Sequence, residues 1–105
     1  MNKELMKGST STLVLTVLKR EPLYGYALIK EIELRSNGIF EFKEGTLYPI
    51  LHDLEDKECV ESFWEVYENR RRKYYRITKK GLKLLEEKRL EWQVFSKAME
   101  NVLAY

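Results

Sequence analysis

The sequence has one cysteine, Cys59, one histidine, His52, and two prolines among its 105 residues. A single cysteine closes no disulfide within the chain, and one histidine beside it is too small a ligand set for structural zinc. We therefore expect no metal centre and no cofactor. The residues also offer no nucleophile with a base and an orienting partner, and no glycine-rich phosphate loop. The sequence thus predicts a protein that is not an enzyme.

Long apolar runs are missing too. The longest one, residues 13–18 with Thr16 inside it, is far below the roughly 20 residues that cross a bilayer. The first residues, Met1-Asn2-Lys3-Glu4, do not read as a secretory signal peptide, so we predict a cytoplasmic protein. Hydrophobic residues at 44% and charged residues at 34% are typical of one folded domain.

The net charge of +2 conceals an uneven distribution. Seven basic residues and no acid lie between Arg70 and Lys80, whereas seven acids and one lysine lie between Asp53 and Glu68. A concentrated basic segment is what binding to a nucleic-acid backbone requires, because the affinity comes from displaced counterions. The sequence therefore predicts a phosphate-binding surface in this segment. A charge run that is merely solvated is the alternative.

Two helices are predicted at the start of the chain. Apolar residues at helical spacing indicate a first helix that ends before Pro22 and begins either near Lys3 or within residues 8–12. A second amphipathic pattern covers residues 24–34. We expect it to be closed by Asn37-Gly38, residues that suit the left-handed conformation after a helix.

A third helix follows residues 39–42, which predict either a short strand or a turn. It begins at Thr46 as N-cap, which places Pro49 harmlessly in the first turn, or at Glu44, which places Pro49 where it would bend the helix. In both cases one side of the helix faces the core. That side carries Leu47, Ile50, Leu51 and Leu54.

Two strands and a long last helix complete the chain. The strands are predicted at residues 60–67 and 73–77, with a hairpin turn near Glu68-Asn69-Arg70. The last helix begins after Thr78 and has an apolar stripe that would leave a large patch in water on a monomer. We therefore expect the stripe to form a dimer interface, with packing inside the chain as the alternative. The stripe consists of Leu85, Trp92, Phe95, Met99 and Val102.

This order of elements predicts an α+β, mostly α, fold of the winged helix-turn-helix type. We assign residues 1–78 to the DNA-binding part and residues 79–105 to a C-terminal dimerisation helix, together in one compact unit. The third helix would enter the major groove and the hairpin, or wing, would contact flanking backbone. We expect the basic residues and the exposed side of the third helix to form one positive surface.

The predicted DNA contacts are Tyr24, Tyr26, Thr46, Tyr48, Pro49, His52, Arg70, Arg71, Arg72 and Lys73. Lys3 and Lys7 are further candidates for phosphate contacts. Alternatives remain for several of these residues: Thr46 as a helix cap, Tyr48 as a cover for the rim of the core, and packing for at least one of Tyr24 and Tyr26.

Three motifs in this order resemble the short form of the PadR family of bacterial transcriptional regulators. They are Pro22-Leu23-Tyr24-Gly25-Tyr26, then Glu44-Gly45-Thr46-Leu47-Tyr48-Pro49, then Arg71-Arg72-Lys73-Tyr74-Tyr75-Arg76-Ile77-Thr78 with Gly81. The resemblance implies a homodimeric repressor whose last helix is the dimerisation element and which a small molecule releases from its operator. It also implies that Thr46 and Tyr48 lie on the DNA side.

Two features depart from the family's usual residues. Members often have glycine where Cys59 stands, and glycines at the wing tip, where this chain has Glu68 and Asn69. A left-handed backbone at Cys59 would cost roughly 1–2 kcal/mol for a residue other than glycine.

The function we expect is sequence-specific binding to a pseudo-palindromic operator in double-stranded DNA, by a homodimer that acts as a repressor. A small aromatic or planar effector bound between the terminal helices, beside Trp92, is a further hypothesis. The alternative function is a winged-helix module that binds other proteins and no DNA.

Overall fold

The computed structural model describes residues 8–104, which form four helices and one antiparallel sheet of three strands. The predicted α+β winged helix-turn-helix fold with a long C-terminal helix is confirmed. One strand is additional: a two-residue strand before the second helix pairs with the last strand, which is therefore central in the sheet. The elements are α1 (Thr10–Arg20), β1 (Leu23–Tyr24), α2 (Gly25–Arg35), α3 (Glu44–Asp56), β2 (Val60–Tyr67), β3 (Arg70–Ile77) and α4 (Lys79–Leu103).

The core lies between the first three helices and one face of the sheet. Tyr75 of β3 closes it from the sheet side and is almost fully buried. Each leucine buried there contributes about 1.5–3 kcal/mol through removal of its side chain from water. In the predicted stripe of α3 three leucines are buried and Ile50 is half-buried. The helical part of the core consists of Val14, Leu15, Val17, Leu18, Leu28, Ile29, Ile32, Leu47, Leu51 and Leu54.

The described part of α1 begins at Thr10, directly after Gly8 with its positive φ of 83° and Ser9 as N-cap. The alternative start near Lys3 lies outside the described residues. Residues 39–42, for which a strand or a turn was predicted, form a loop instead. Its Phe40 and Phe42 pack against the core, so the apolar residues of this segment cover the core without strand pairing.

Of the two starts predicted for α3, the structure has the one at Glu44, with Lys43 and not Thr46 as N-cap. The backbone amides of Thr46 and of the following residue both donate to the Lys43 carbonyl, at 3.0 Å. Pro49 therefore lies in the second turn. Because proline has no N–H, the Gly45 carbonyl loses its regular helical donor, but Gly45 is exposed and water can bind its oxygen.

α2 and α3 end in the same backbone motif. Asn37 and Glu58 have positive φ values of 53° and 61°, and each follows the C-cap residue of its helix. After α3, the Cys59 amide reaches back to the Leu54 carbonyl at 2.8 Å, which is the hydrogen bond of a Schellman motif. The left-handed residue is thus Glu58, and the cost considered for a left-handed Cys59 does not arise. Cys59 instead enters the core.

The start of α4 is held against the end of α3. The Thr78 hydroxyl donates to the Glu58 carbonyl at 2.7 Å and accepts from the Gly81 amide at 3.0 Å, while the Thr78 amide donates to the Cys59 carbonyl at 3.1 Å. A Cβ on Gly81 would overlap the Cys59 carbonyl oxygen. Only glycine permits this close approach, which fixes the direction in which α4 leaves the core.

The hairpin turn is shorter than predicted. Glu68 and Asn69, with φ values of 52° and 62°, form the two-residue loop, as in a type I′ turn. Such a turn matches the twist of the strands, so pairing continues up to Tyr67 and Arg70. β3 therefore begins at Arg70 and not at residue 73. Arg70, Arg71 and Arg72, which the sequence places at the hairpin tip or just beyond it, therefore belong to a paired strand.

The prediction that Leu85 belongs to the dimer or effector surface of α4 is wrong. Leu85 is 2% exposed and belongs to the core of its own chain, so it is not available to a partner or an effector. A seven-residue repeat does not reveal where burial within the chain stops, which is why the sequence grouped it with the rest of the stripe. The other four stripe residues have exposures between 45% and 75%. They are Trp92, Phe95, Met99 and Val102.

We expect Glu58→Gly to stabilise the protein by about 1 kcal/mol, because glycine adopts a positive φ without the strain that a Cβ imposes. For a domain of this size, such a gain raises Tm by roughly 4–8 °C. Thermal unfolding followed by circular dichroism at fixed protein concentration measures the change.

Glu58→Ala is the matched control. It removes the same carboxylate but retains a Cβ, so its Tm should stay close to that of the unaltered chain. Equal gains in the two variants would assign the effect to charge and contradict the strain at this position.

Candidate nucleic-acid interface

The exposed side of α3 has two chemically different halves. Thr46, Pro49 and His52 are exposed in its first part and carry no carboxylate. Asp53 and Asp56 are exposed further along the helix, at spacings that continue the same side. Apart from the exposed Glu44 at its first residue, the side of α3 turned away from the core is therefore uncharged in its first part, and it is acidic near its C-terminus.

Tyr48 is half-buried and packs over the first residue of α2. A Cβ on Gly25 would lie 2.5 Å from the Tyr48 hydroxyl oxygen, so the tyrosine ring occupies space that only glycine leaves free. Burial, and then the nearby Glu44 carboxylate, raise the pKa of Tyr48. Its hydroxyl is therefore a protonated donor at neutral pH. Tyr48 has the packing role that was the alternative for it, and its contact with DNA stays a prediction.

The two tyrosines near the start of α2 point in different directions. Tyr24 belongs to β1, and its ring lies 5.4 Å from that of Tyr74 in an edge-on pair and 6.3 Å from that of Tyr67. Tyr24 is thus part of the packing on the sheet. Tyr26 is 52% exposed, and the Lys30 ammonium lies 5.5 Å from its ring centroid.

The sheet has an inner face, which packs on the core, and an outer face. Successive residues of a strand alternate between the two. The inner face meets α3 directly, because the Ser62 hydroxyl donates to the Glu55 carboxylate at 2.6 Å. Tyr75 lies on the same face, and burial followed by the Glu55 charge raise its pKa. The inner-face residues are Val60, Ser62, Trp64, Val66, Arg71, Lys73, Tyr75 and Ile77.

This alternation divides the predicted basic cluster. Arg71 and Lys73 lie on the inner face and share a side of the sheet with α3, whereas Arg70 and Arg72 lie on the outer face. The expectation that all four residues form one surface with α3 is therefore wrong. Side chains do not alternate between two faces in a turn, but they do in a paired strand. The pleat of β3 therefore separates neighbouring basic residues.

On the outer face the arginines stack on aromatic rings. The Arg72 guanidinium carbon lies 4.4 Å from the Tyr24 ring centroid and 5.6 Å from that of Tyr67, and within residues 8–104 its buried Nε has no hydrogen-bond partner. Arg76 lies 4.3 Å from the Phe63 centroid. Each such contact contributes about 0.5–1 kcal/mol at exposed sites and about 2 kcal/mol when desolvated. These contacts between arginines and aromatic rings stabilise the sheet.

The inner face of the wing carries two residues that sequence reasoning missed, Trp64 and Val66. Trp64 is 54% exposed and Val66 is 72% exposed. The Arg71 guanidinium carbon lies 4.6 Å from the Trp64 ring centroid. The signal was available in the sequence, because the alternation of residues 60, 62, 64 and 66 places Trp64 and Val66 on the face of the buried Val60.

The predicted phosphate contacts of Lys3 and Lys7 lie outside the described residues. Over residues 8–104, no three histidine, cysteine or acidic side chains gather where they could hold a metal ion. No helix in that same range combines the length and the apolar character needed to cross a membrane.

Comparison with known proteins decides the family. The sequence profile of the PadR-like family of transcriptional regulators matches residues 14–87, which is more than half of the chain. The chain belongs to the PadR-like family. The resemblance seen in the sequence motifs is thereby confirmed, and the family is one of DNA-binding transcription regulators and not of enzymes.

Sequence relatives support membership of the PadR-like family. An uncharacterized protein of Lysinibacillus sphaericus is 36% identical over 93 residues, which are 88% of this chain and 85% of that protein. The transcriptional regulator YqjI of Escherichia coli is 32% identical over 82 residues, which are 78% of this chain. The match spans only 38% of YqjI.

Solved structures of other regulators have the same fold. A transcriptional regulator from Clostridium thermocellum superposes with a TM-score of 0.86 at 32% identity, with 93% of this chain and 96% of that chain covered. A PadR family transcriptional regulator from Eggerthella lenta has a TM-score of 0.81 at 40% identity, with coverage of 95% and 86%. The long C-terminal helix is therefore part of a shared fold.

Proposed function

We propose that this PadR-family chain is a repressor that binds a pseudo-palindromic operator sequence-specifically as a homodimer. The N-terminal half of α3 enters the major groove with Thr46, Pro49 and His52, and Arg71 and Lys73 on the wing bind flanking phosphates. The observation that carries this proposal is the contact between Ser62 and Glu55, which joins the inner face of the wing to α3. In this proposal both DNA-binding parts lie on the inner side of the sheet.

Charge on α3 limits how the duplex approaches. Asp53 and Asp56 would repel phosphates, whereas the positive end of the helix dipole lies near Glu44 and Gly45. Lys57 neutralises part of this acidic half, because its ammonium lies 2.9 Å from the Asp53 carboxylate, and this hydrogen bond raises the pKa of Lys57. We therefore place the DNA against the first two turns of α3. With few amide or guanidinium groups on this side, DNA shape contributes much of the specificity.

The other predicted contacts divide by exposure. Tyr26 and Arg70 are exposed, and we retain them as phosphate contacts beside the main interface. The protonated hydroxyl of Tyr48 is retained as a donor at the edge of α3. We assign Tyr24 and Arg72 to supporting the wing, because they contact each other on the outer face and the Arg72 Nε is buried there.

The homodimer is proposed from the distal half of α4. The side of this helix that carries Gly81 and Leu85 into the core continues as Trp92, Phe95 and Met99, which the chain itself leaves exposed. A second copy of the same stripe would cover it, as in a coiled coil. In such a dimer two α3 helices would meet half-sites about one helical turn, roughly 34–36 Å, apart.

The effector site is proposed between the two copies of α4. The rings of Trp92 and Phe95 lie 5.8 Å apart with planes inclined by 29°. A two-fold axis along this stripe would bring together two such pairs, which suit a small planar aromatic molecule. An effector that favours another spacing of the two wings would weaken operator binding, and the operator would weaken effector binding by the same factor.

Selection of bound fragments from random DNA, at fixed salt, is expected to recover a spaced inverted repeat. On the selected duplex, Arg71→Gln with Lys73→Gln should weaken binding and lower the slope of log affinity against log salt by about 4, because each of the two copies in the dimer loses two phosphate contacts. Anisotropy of a labelled duplex over a series of salt concentrations measures both quantities.

The matched control, Arg89→Gln with Lys97→Gln, removes two positive charges from α4 and should leave the slope unchanged. An equal fall in both double variants would assign the effect to net charge alone. Failure to recover any sequence, together with unaltered behaviour of the wing variant, would favour the alternative function of a protein-interaction module without DNA binding.

Phe95→Glu is expected to convert the dimer into a monomer, because it places a charge in an apolar interface. Sedimentation velocity over a range of protein concentrations measures the change. Lys97→Glu, on the opposite side of α4, changes the charge in the same direction and should leave the dimer intact. A dimer that survives Phe95→Glu would contradict this interface.

Titration with a panel of planar aromatic compounds tests the effector. In Trp64→Phe the only tryptophan is Trp92, and we expect at least one compound to quench its fluorescence saturably and to release the selected duplex over the same concentration range. Phe95→Ala should weaken the quenching. No saturable response to any compound would contradict the effector site.

A further inference from the structure

The inner face of the wing exposes more apolar surface than a hairpin requires. Trp64 and Val66 lie beyond the edge of the core, and both are more than half exposed. Exposed apolar residues side by side on a paired strand indicate a contact surface. The residues opposite them on β3 are Lys73 and Arg71, so the apolar pair is bordered by two positive charges.

Trp64 also restrains the arginine beside it. With its carbon 4.6 Å from the indole centroid, the Arg71 guanidinium lies over the ring, and an arginine stacked in this way keeps the N–H donors at its edge available for a phosphate. A free arginine side chain loses rotamer entropy when it binds. Stacking restricts Arg71 before DNA arrives, which favours binding.

The Trp64 surface faces the same side as α3. Ser62, two residues before Trp64 on the same face, is bonded to Glu55 of α3. Tyr75, two residues after Lys73 on that face, is buried in the core. A duplex that binds to this side of the sheet would have its flanking backbone next to Trp64 and Val66. Sugars present apolar surface there, and phosphates lie on either side of them.

We infer that Trp64 contacts the sugar–phosphate backbone beside the operator half-site and is the positioning residue for Arg71. This inference rests on the proposed function, and it adds an apolar contact to a wing whose predicted DNA contacts are all basic residues. Val66 extends the same contact toward the tip.

Fluorine NMR on the chain labelled with 5-fluorotryptophan tests the contact. The protein has two tryptophans, and Trp64→Phe assigns their signals. On addition of the selected duplex, the Trp64 signal should shift and its difference between H₂O and D₂O should fall by about half, because DNA excludes water from the ring. The H₂O–D₂O difference of the Trp92 signal is the internal control and should not fall, because Trp92 lies on α4 and not beside the duplex.

The labelled duplex reports binding separately, by anisotropy in the same sample. Bound duplex with an unmoved Trp64 signal would overturn the inference and leave the proposed function standing. A chain that binds no duplex would remove the proposed function, and the inference with it.

A double-mutant cycle tests the positioning role. Trp64→Ala should lower affinity about tenfold and lower the salt slope by about 2, as Arg71→Gln does by removing one phosphate contact from each copy in the dimer, and the two substitutions together should add little. Trp64→Phe retains an aromatic face and should restore most of the slope. Additive effects, or a Trp64→Ala variant with an unaltered slope, would show that Trp64 only packs within the hairpin. Circular dichroism confirms that each variant is folded.

Discussion

The close approach of Gly81 to the Cys59 carbonyl is the constraint on which the rest of the structure depends. At this point the end of α3, the end of β3 and the start of α4 meet within a few ångströms, joined by the three hydrogen bonds of Thr78. α3, the wing and α4 therefore share one junction. Any side chain at Gly81 would force these three elements apart.

The wing is stabilised in an unusual way for a small sheet. Its outer face has few aliphatic residues, and arginines lie flat against aromatic rings, as Arg72 does on Tyr24 and Arg76 on Phe63. The buried Arg72 Nε has no hydrogen-bond partner in the described part of the chain, and the contacts of its guanidinium with two rings offset the cost of its burial in part. On the outer face positive charge thus stabilises the sheet, whereas on the inner face we propose that it binds DNA.

Much of the fold was predictable because local patterns and burial agree. The leucine spacing of α3 and the Asn37-Gly38 end of α2 needed no knowledge of the tertiary structure. The errors arose where a nonlocal feature decides. Leu85 is buried because α4 begins against the core, and the basic run is divided because a turn without glycine still permits pairing up to Arg70. Likewise, no local signal shows that Glu58, and not its neighbour, is left-handed.

The length of α4 has a mechanical consequence. Its 25 residues span about 37 Å, and only its first turns touch the core, so the helix is a rigid lever with its pivot at Gly81. A tilt of about 10° at the pivot moves the far end by about 6 Å. In a dimer, a tilt of this size would change the separation of the two wings by a large fraction of the width of the major groove.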